Sequence, residues 1–396
     1  MFIYIRSRRS IEMHQQESSI IFSLKLWKRI AIITVVFIFS GIYFTAFVQN
    51  TNSYSLTHLN QTTNNSQIKS NRSRIRLVIF SDLDAQKHYR DYTDTLFCYA
   101  HRHHYDFSIV NPHDYSACKT FENYFFKKQC TVLQYLIQNP DVEWLVVLDG
   151  DIFVVNATKS LDSYIPTDPN IHLIHLERFM NNEITAGCYI IHNHPWSLVY
   201  LNRWIEYSEI SRKIPYHNSD NGALHLNFLN MSGMSDSQTY DRCARLYNES
   251  VSELSYMKYV SCTKCALKGK RKFSNIILYR RGHSFCRDPG LSPHKIHQFD
   301  VMFHGYKSKK LDYFLEEPTD RLKCQNELEW TPKIRRSLLV ANMTEAKTIM
   351  SNWEQAVSKR YTPSVFYPEI SNCWPDCESE ITGDAWKAFV NILCKF

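Results

Sequence analysis

Trp144-Leu145-Val146-Val147-Leu148-Asp149-Gly150-Asp151 is the stretch that decides the fold. Five consecutive apolar residues without alternation predict a strand covered on both faces, the pattern of a central strand in an α/β sheet. The run stops at two carboxylates, and in open α/β sheets ligands lie beyond the carboxyl ends of the strands. Asp149 and Asp151 stand two apart in an extended segment, which sends both side chains to the same side. Gly150 between them lets backbone and ligand come close. Paired carboxylate oxygens suit a hard divalent cation, Mn2+ or Mg2+. Such a cation neutralises a departing diphosphate, which directs the reading toward nucleotide-sugar chemistry. Asp-Gly is also a common turn dipeptide, so the rest of the chain has to carry the argument.

Upstream, residues 75–80 read as a strand ending in Ser81-Asp82-Leu83-Asp84, residues 89–104 as a helix and residues 106–110 as a short strand. Residues 121–138 follow as a helix in which Phe121, Phe125, Val132 and Leu136 recur at helical spacing, and Asn139-Pro140 stops it. Strand, helix, strand, helix, strand with short connections is a βαβαβ unit, which predicts a parallel, Rossmann-like α/β sheet. Downstream, residues 171–176 and 184–192 read as strands and residues 195–208 as a helix with Pro195 in its first turn. Ser219-Asp220-Asn221-Gly222 opens another helix running to Leu229. Residues 275–278 and the apolar stretch before His304 supply further short strands, and from about residue 311 the chain reads as irregular.

The N-terminal part has a different character. Residues 30–48 carry no charge, and as a helix they span roughly 28 Å, close to the hydrocarbon thickness of a bilayer. Arg6, Arg8, Arg9, Lys25, Lys28 and Arg29 precede this run, which keeps the N-terminus cytoplasmic and puts the remainder in the lumen. The expected organisation is a cytoplasmic tail at 1–29, an uncleaved anchor at 30–48 and a stem at 49–73 rich in Asn, Thr, Ser and Gln. A catalytic domain at 74–315 and a Cys-containing extension at 316–396 follow. Seven Asn-x-Ser/Thr triplets, at Asn60, Asn64, Asn71, Asn156, Asn230, Asn248 and Asn342, agree with a lumenal location.

All 12 cysteines lie between Cys98 and Cys394, beyond the apolar run, which points to disulfides formed in an oxidising lumen. Cys262-x-x-Cys265 and Cys373-x-x-x-Cys377 lack matching spacing for a zinc site, which also favours disulfides. With 396 residues, 44% hydrophobic and 21% charged, the chain has ample core for one large domain or two ordinary ones. The net charge of +7 is spread thinly except at Lys264, Lys268, Lys270, Arg271 and Lys272. That cluster reads as a solvated surface and not as a nucleic-acid footprint, so no nucleic-acid partner is expected. Gly-x-Gly-x-x-Gly and zinc-protease motifs are absent, and His101-x-His103-His104 reads as an exposed helix face.

Phe126-Lys127-Lys128-Gln129, the run from Asn139-Pro140 to Asp151, Thr185-Ala186-Gly187-Cys188-Tyr189-Ile190-Ile191 with Asn193 and Trp196-Ser197, and Asp220-Asn221 together resemble the GT-A glycosyltransferases. Within that group the chain looks like the Golgi α-galactosyl-, α-mannosyl- and xyloglucan xylosyltransferases, and like a glycosyltransferase-like family expanded in nematodes. The resemblance spans residues 75–307 and implies a nucleotide-diphospho-sugar transferase fold behind a single transmembrane helix, in the Golgi or ER membrane. It implies a nucleoside diphosphate sugar as donor, a lumenal glycan or glycoprotein as acceptor, and retention of anomeric configuration.

Residue by residue, the resemblance gives Asp149 and Asp151 the metal role, with a third ligand from His304-Gly305-Tyr306-Lys307. His304 would bind the metal as neutral imidazole, with Gly305 and Lys307 toward the phosphates. Asp220 and Asn221 match an Asp-Gln pair near the anomeric carbon, with Asn standing where Gln is usual. Ser81 and Asp82 are placed to meet the nucleoside, Lys128 a phosphate, and Gly150 and Gly187 the donor.

Bland readings stand beside these. His304 after an apolar run fits a packed core histidine, Ser219 or Asp220 fits a helix N-cap, and Asp82 and Asp84 offer a second Asp-x-Asp. Two other functions compete. Leu145 to Asp151 also looks like the first motif of haloacid-dehalogenase-like phosphatases, although Phe153 stands where Thr or a small residue is usual. A non-catalytic, membrane-anchored glycan-binding protein is the other.

Overall fold

The computed structural model describes residues 74–359 apart from 180, 182, 235, 289–293, 306–310 and 328, and beyond 359 only residues 374, 387, 388, 390, 391 and 394. The expected tail, anchor and stem, with Asn60, Asn64 and Asn71, lie outside the described residues, as do Lys307, Cys373 and Cys377. Among the described residues no helix is long and apolar enough to cross a membrane.

Six strands form the main sheet: β1 (Ile75–Phe80), β2 (Asp106–Val110), β3 (Trp144–Leu148), β5 (Leu173–Leu176), β6 (Cys188–His192) and β7 (Ile276–Tyr279), in the order β2-β1-β3-β6-β5-β7. Three short strands, β4 (Ile152–Val154), β8 (Cys286–Arg287) and β9 (Met302–His304), form a second sheet in the order β4-β9-β8. β3 is central and buried along its whole length. Its side chains alternate between two cores: Leu145 and Val147 join one, and Trp144, Val146 and Leu148 join the other.

The parallel, Rossmann-like sheet expected from the strand-helix-strand unit holds for β1, β2 and β3, and one later strand departs from it. β1 runs parallel to β2 and β3, and β5 parallel to β7, but β6 is antiparallel to both of its neighbours. Among the described residues no helix intervenes between β5 and β6, so the chain turns straight back and β6 runs against β5. The fold is mixed α/β with a parallel-rich sheet.

The first helices are α1 (Leu83–His88), α2 (Arg90–Arg102) and α3 (Tyr124–Gln138). The last of these starts three residues later than expected, because the Asn123 side chain accepts from the Phe125 and Phe126 amides and caps it there. Next come α4 (Pro195–Glu206), the short α5 (Ser208–Ser211), α6 (Ser219–Met231), α7 (Ser237–Asn248) and α8 (Glu253–Ala266). α9 (Arg321–Asn326) and α10 (Met343–Ser358) lie in the segment expected to be irregular, which is a correction. α10 is capped by Asn342 and buries Ala346, Met350, Glu354 and Val357 on one helical face, with Glu354 ion-paired to the equally buried Arg281.

Four disulfides tie these elements: Cys98–Cys324, Cys118–Cys130, Cys243–Cys262 and Cys265–Cys394. Cys262 and Cys265 thus take different partners, while Cys188 and Cys286 are buried free thiols. Lys264 leaves the expected basic surface: it is buried, with Nζ 2.9 Å from both carboxylate oxygens of Glu177.

Candidate functional site

The tip of β3 and two short strands build the site. The Asp149 amide donates to the Gly187 carbonyl (2.9 Å), joining the end of β3 to the start of β6. Just past Asp151 the chain enters β4, which pairs antiparallel with β9 so that Ile152 stands opposite His304. This pairing delivers an imidazole from the far end of the sequence to the two aspartates. His304 Nε2 lies 3.4 Å from Asp149 Oδ2 and 3.4 Å from Asp151 Oδ1. One ligand atom from each of the three residues falls within 4.8 Å of the others.

The donor set fits a borderline divalent cation: two hard carboxylates and one imidazole. Gly187 keeps the seat open, since a Cβ there would fall 2.3 Å from His304 Cε1 and 2.8 Å from Asp149 Oδ2. Lys128, buried on α3, places Nζ 2.7 Å from Asp149 Oδ1 and 3.1 Å from the Ala186 carbonyl. Burial raises the Asp149 pKa, but Lys128 and His304 outweigh it and hold the carboxyl well below the usual carboxylate range. Burial likewise lowers His304, yet Asp151, Asp149 and Asp288 reverse that and raise it well above an ordinary imidazole. Carboxylate charge therefore dominates this point and favours a cation there.

A cleft of about 440 Å³ opens beside the cluster, lined by Lys128, Asp149, Asp151, Gly187, His304 and Gly305 and also by Arg178, Asn218, Asp220 and Asn221. Asp220 sits in the first turn of α6. The N-cap position before it is Asn218, without a side-chain cap bond, so the N-cap reading of Ser219 and Asp220 is corrected. Asn218 and Ser219 both have φ of 49°, a left-handed conformation that costs energy for residues with a Cβ. Gln129 Nε2 donates to Asp220 Oδ2 (2.8 Å), and the Tyr189 hydroxyl donates to Gln129 Oε1 (2.7 Å). Asp220 Oδ1 is buried and has no hydrogen-bond partner among the described residues. Burial raises the Asp220 pKa, opposed by Lys128 and Gln129. Asn221 is held through Oδ1, which accepts from the Ala186 amide (2.8 Å).

The residues chosen for the nucleoside sit elsewhere. Ser81 is buried beneath Gly150, 3.0 Å from where a Cβ would stand. Asp82 caps α1 by accepting from the Ala85 amide, and neither residue lines the cleft. Asp84 is 98% exposed, so the second Asp-x-Asp gathers no cluster. His103 spends Nε2 on the Ala157 carbonyl (2.8 Å).

Residues 96–321 match the family described as "Protein of unknown function, DUF273". The chain belongs to this family. The DUF273 segment covers more than half of the chain and contains Lys128, Asp149, Asp151, Asp220, Asn221 and His304, while Ser81 and Asp82 precede it. No curated protein matches the chain. Among solved structures it is similar to a glycosyltransferase involved in glycosylation of the major capsid of PBCV-1, with 15% identity, 65% of this chain and 99% of that chain covered, and a TM-score of 0.31. It is also similar to the apo form of the glycosyltransferase GlyE of Streptococcus pneumoniae TIGR4, with 14% identity, 76% and 66% coverage and a TM-score of 0.32. An active-site mutant of LgtC gives 12% identity, 65% and 97% coverage and a TM-score of 0.30. These likenesses are too distant to carry an activity to the DUF273 chain.

Sequence reasoning missed four residues of the DUF273 site: Arg178, Glu183, Asn218 and Asp288. Arg178 Nη1 lies 3.1 Å from Glu183 Oε2 and its Nε 3.5 Å from Asp288 Oδ2, while Asn218 Nδ2 donates to Glu183 Oε1. Burial raises Asp288, but Arg178 and then His304 outweigh it and lower its pKa. No motif surrounds these residues, so nothing in one sequence singles them out.

Proposed function

We propose that this chain is a metal-dependent glycosyltransferase of GT-A type, moving a hexose or pentose from a nucleoside diphosphate sugar to a hydroxyl of a lumenal glycan or glycoprotein, with retention at the anomeric carbon. The observation that carries the reading is the convergence of Asp149, Asp151 and His304, within 4.8 Å, on the rim of the cleft. These residues would hold Mn2+ or Mg2+, which supplies charge neutralisation on the departing diphosphate. Lys128 fixes a positive charge at Asp149, on the same wall of the cleft. Asp220 lines the cleft, and its carboxylate, whose Oδ1 has no hydrogen-bond partner among the described residues, is the group to meet a sugar hydroxyl or positive charge developing at the anomeric carbon. Asn221 orients the Ala186-Gly187 backbone and does not offer its amide oxygen to the sugar.

The same reading puts residues 30–48 in the Golgi or ER membrane and the described domain in the lumen. All four acceptor asparagines among the described residues, Asn156, Asn230, Asn248 and Asn342, are at least partly exposed, as glycan attachment requires. The test is to screen the full chain against uridine and guanosine diphosphate sugars with Mn2+, and to repeat the productive reaction with chelator and with Asp149→Ala and Asp151→Ala. Loss of turnover in folded variants is expected, and undiminished turnover in both removes the site assignment. Endoglycosidase sensitivity of the expressed chain checks the lumenal location.

A further inference from the structure

We infer that Asp288 is a positioning residue for the cation seat, holding the His304 ring with Nε2 toward Asp149 and Asp151, and that Arg178 and Glu183 hold Asp288 in turn. This rests on the metal-dependent reading above and adds to it a residue without which the third ligand is poorly oriented.

An imidazole has two nitrogens, and only one can face the seat. His304 Nε2 is the one directed at the aspartates, at 3.4 Å from an oxygen of each. On the opposite edge of the ring, Nδ1 lies 2.9 Å from Asp288 Oδ1. Backbone pairing sets this juxtaposition: β8 runs parallel to β9 with Arg287 opposite Phe303, so Asp288 and His304 are the next residues along each strand. A carboxylate at Nδ1 draws the ring proton to that nitrogen, which leaves the Nε2 lone pair for a cation and makes it a stronger donor. Nδ1 is close to Oδ1, although the contact is not an aligned hydrogen bond.

Asp288 is itself 5% exposed, and a buried carboxylate persists only with compensation. Arg178 provides it, with Nε 3.5 Å from Asp288 Oδ2 and Nη1 3.1 Å from the buried Glu183. Glu183 also accepts from Asn218 and Tyr256, and Asn218 is the residue that leads into Asp220. One line of charge, half-buried at Arg178, therefore runs from the third metal ligand, through Asp288, Arg178 and Glu183, to the entrance of the helix carrying Asp220.

The test measures Mn2+ binding to the solubilised full chain by electron paramagnetic resonance titration, with metal-free and metal-loaded Tm alongside, for wild type, Asp149→Ala, His304→Ala, Asp288→Asn and the His304→Ala/Asp288→Asn double variant. Wild type should bind and Asp149→Ala should lose binding. Asp288→Asn should weaken Mn2+ by about 10–100-fold; it also takes a charge from Arg178, so its metal-free Tm should fall, while its metal-induced rise should recover at higher Mn2+. Because Asp288 acts through His304, its substitution should add nothing in the His304→Ala background. Wild-type affinity in Asp288→Asn, or an equal further loss in the His304→Ala background, overturns the inference while leaving the metal reading intact. Absence of Mn2+ binding by wild type overturns both. A measurement free of variants guards against misfolding: with diamagnetic Zn2+ bound, nitrogen NMR should find His304 protonated at Nδ1, and protonation at Nε2 refutes the assignment.

Discussion

Replacing Gly187 by alanine tests the site at its tightest point. The added methyl would stand 2.3 Å from His304 Cε1, 2.8 Å from His304 Nε2 and 2.8 Å from Asp149 Oδ2. Ordinary van der Waals contact begins at 3.4 Å, so the buried imidazole has to retreat by about 1.1 Å. Overpacking of this size costs about 1–3 kcal/mol of stability. Metal–ligand distances tolerate only about 0.2 Å, so a ligand displaced this far is effectively lost. Gly187→Ala is therefore expected to weaken Mn2+ by roughly 100-fold, about 2.8 kcal/mol, and to lower Tm by a few degrees. Isothermal titration with Mn2+ beside thermal unfolding reads both quantities. Gly150→Ala is the control: its methyl meets only Ser81 Oγ at 3.0 Å, a hydroxyl that can turn aside, and otherwise nothing nearer than 3.5 Å. That variant should change Mn2+ affinity by less than about threefold. A Gly187→Ala protein that binds Mn2+ like wild type shows that the cation does not sit between His304 and the aspartates.

Lys128→Met removes the buried ammonium from Asp149; metal-free stability should fall by about 1–3 kcal/mol, the loss tempered by the partial exposure of Asp149, and Mn2+ should restore much of it. An unchanged metal-free Tm contradicts this. Burial, the largest cause, holds His175 and His225 neutral with pKa values near 3. The unfolded chain protonates these imidazoles below about 6.5 while the folded chain does not, so stability is full above that pH and declines as pH falls toward 3. Each should contribute a loss of about 2 kcal/mol by pH 5; denaturant titrations should show it, His225→Gln should flatten the slope, and a level profile from pH 7 to 5 refutes the account. Cys98–Cys324 closes a loop spanning 226 residues, for which the chain-entropy description gives up to about 5 kcal/mol. The Cys98→Ser/Cys324→Ser double variant, measured by denaturant unfolding, should lose most of that, and a loss below about 1 kcal/mol shows that the unfolded chain is constrained in another way.

The parts legible in the sequence are those with local causes. β3 and β1 show as apolar runs, and the carboxylates at the tip of β3 stand where the strand's own direction puts them. The helix over Tyr124–Gln138 shows through its spacing, although its start waited on the Asn123 cap. α8 escaped notice because it is buried nearly all round and has no polar face to mark a period. α10 did carry a readable pattern, in Ala346, Met350 and Val357 behind the Asn342 cap, but the scattered cysteines around it suggested irregular chain.

By itself the sequence determined an α/β domain with two aspartates at the end of a buried strand, since burial pattern and strand direction are properties of a few neighbouring residues. Only the tertiary structure decided that β6 runs against its neighbours, that His304 arrives beside Asp151, and that Asp288 and Arg178 stand behind it. Those relations depend on pairing and contact between segments 16 to about 150 residues apart in the chain, and such pairing is set by the summed packing of the whole chain, which no local run of residues encodes.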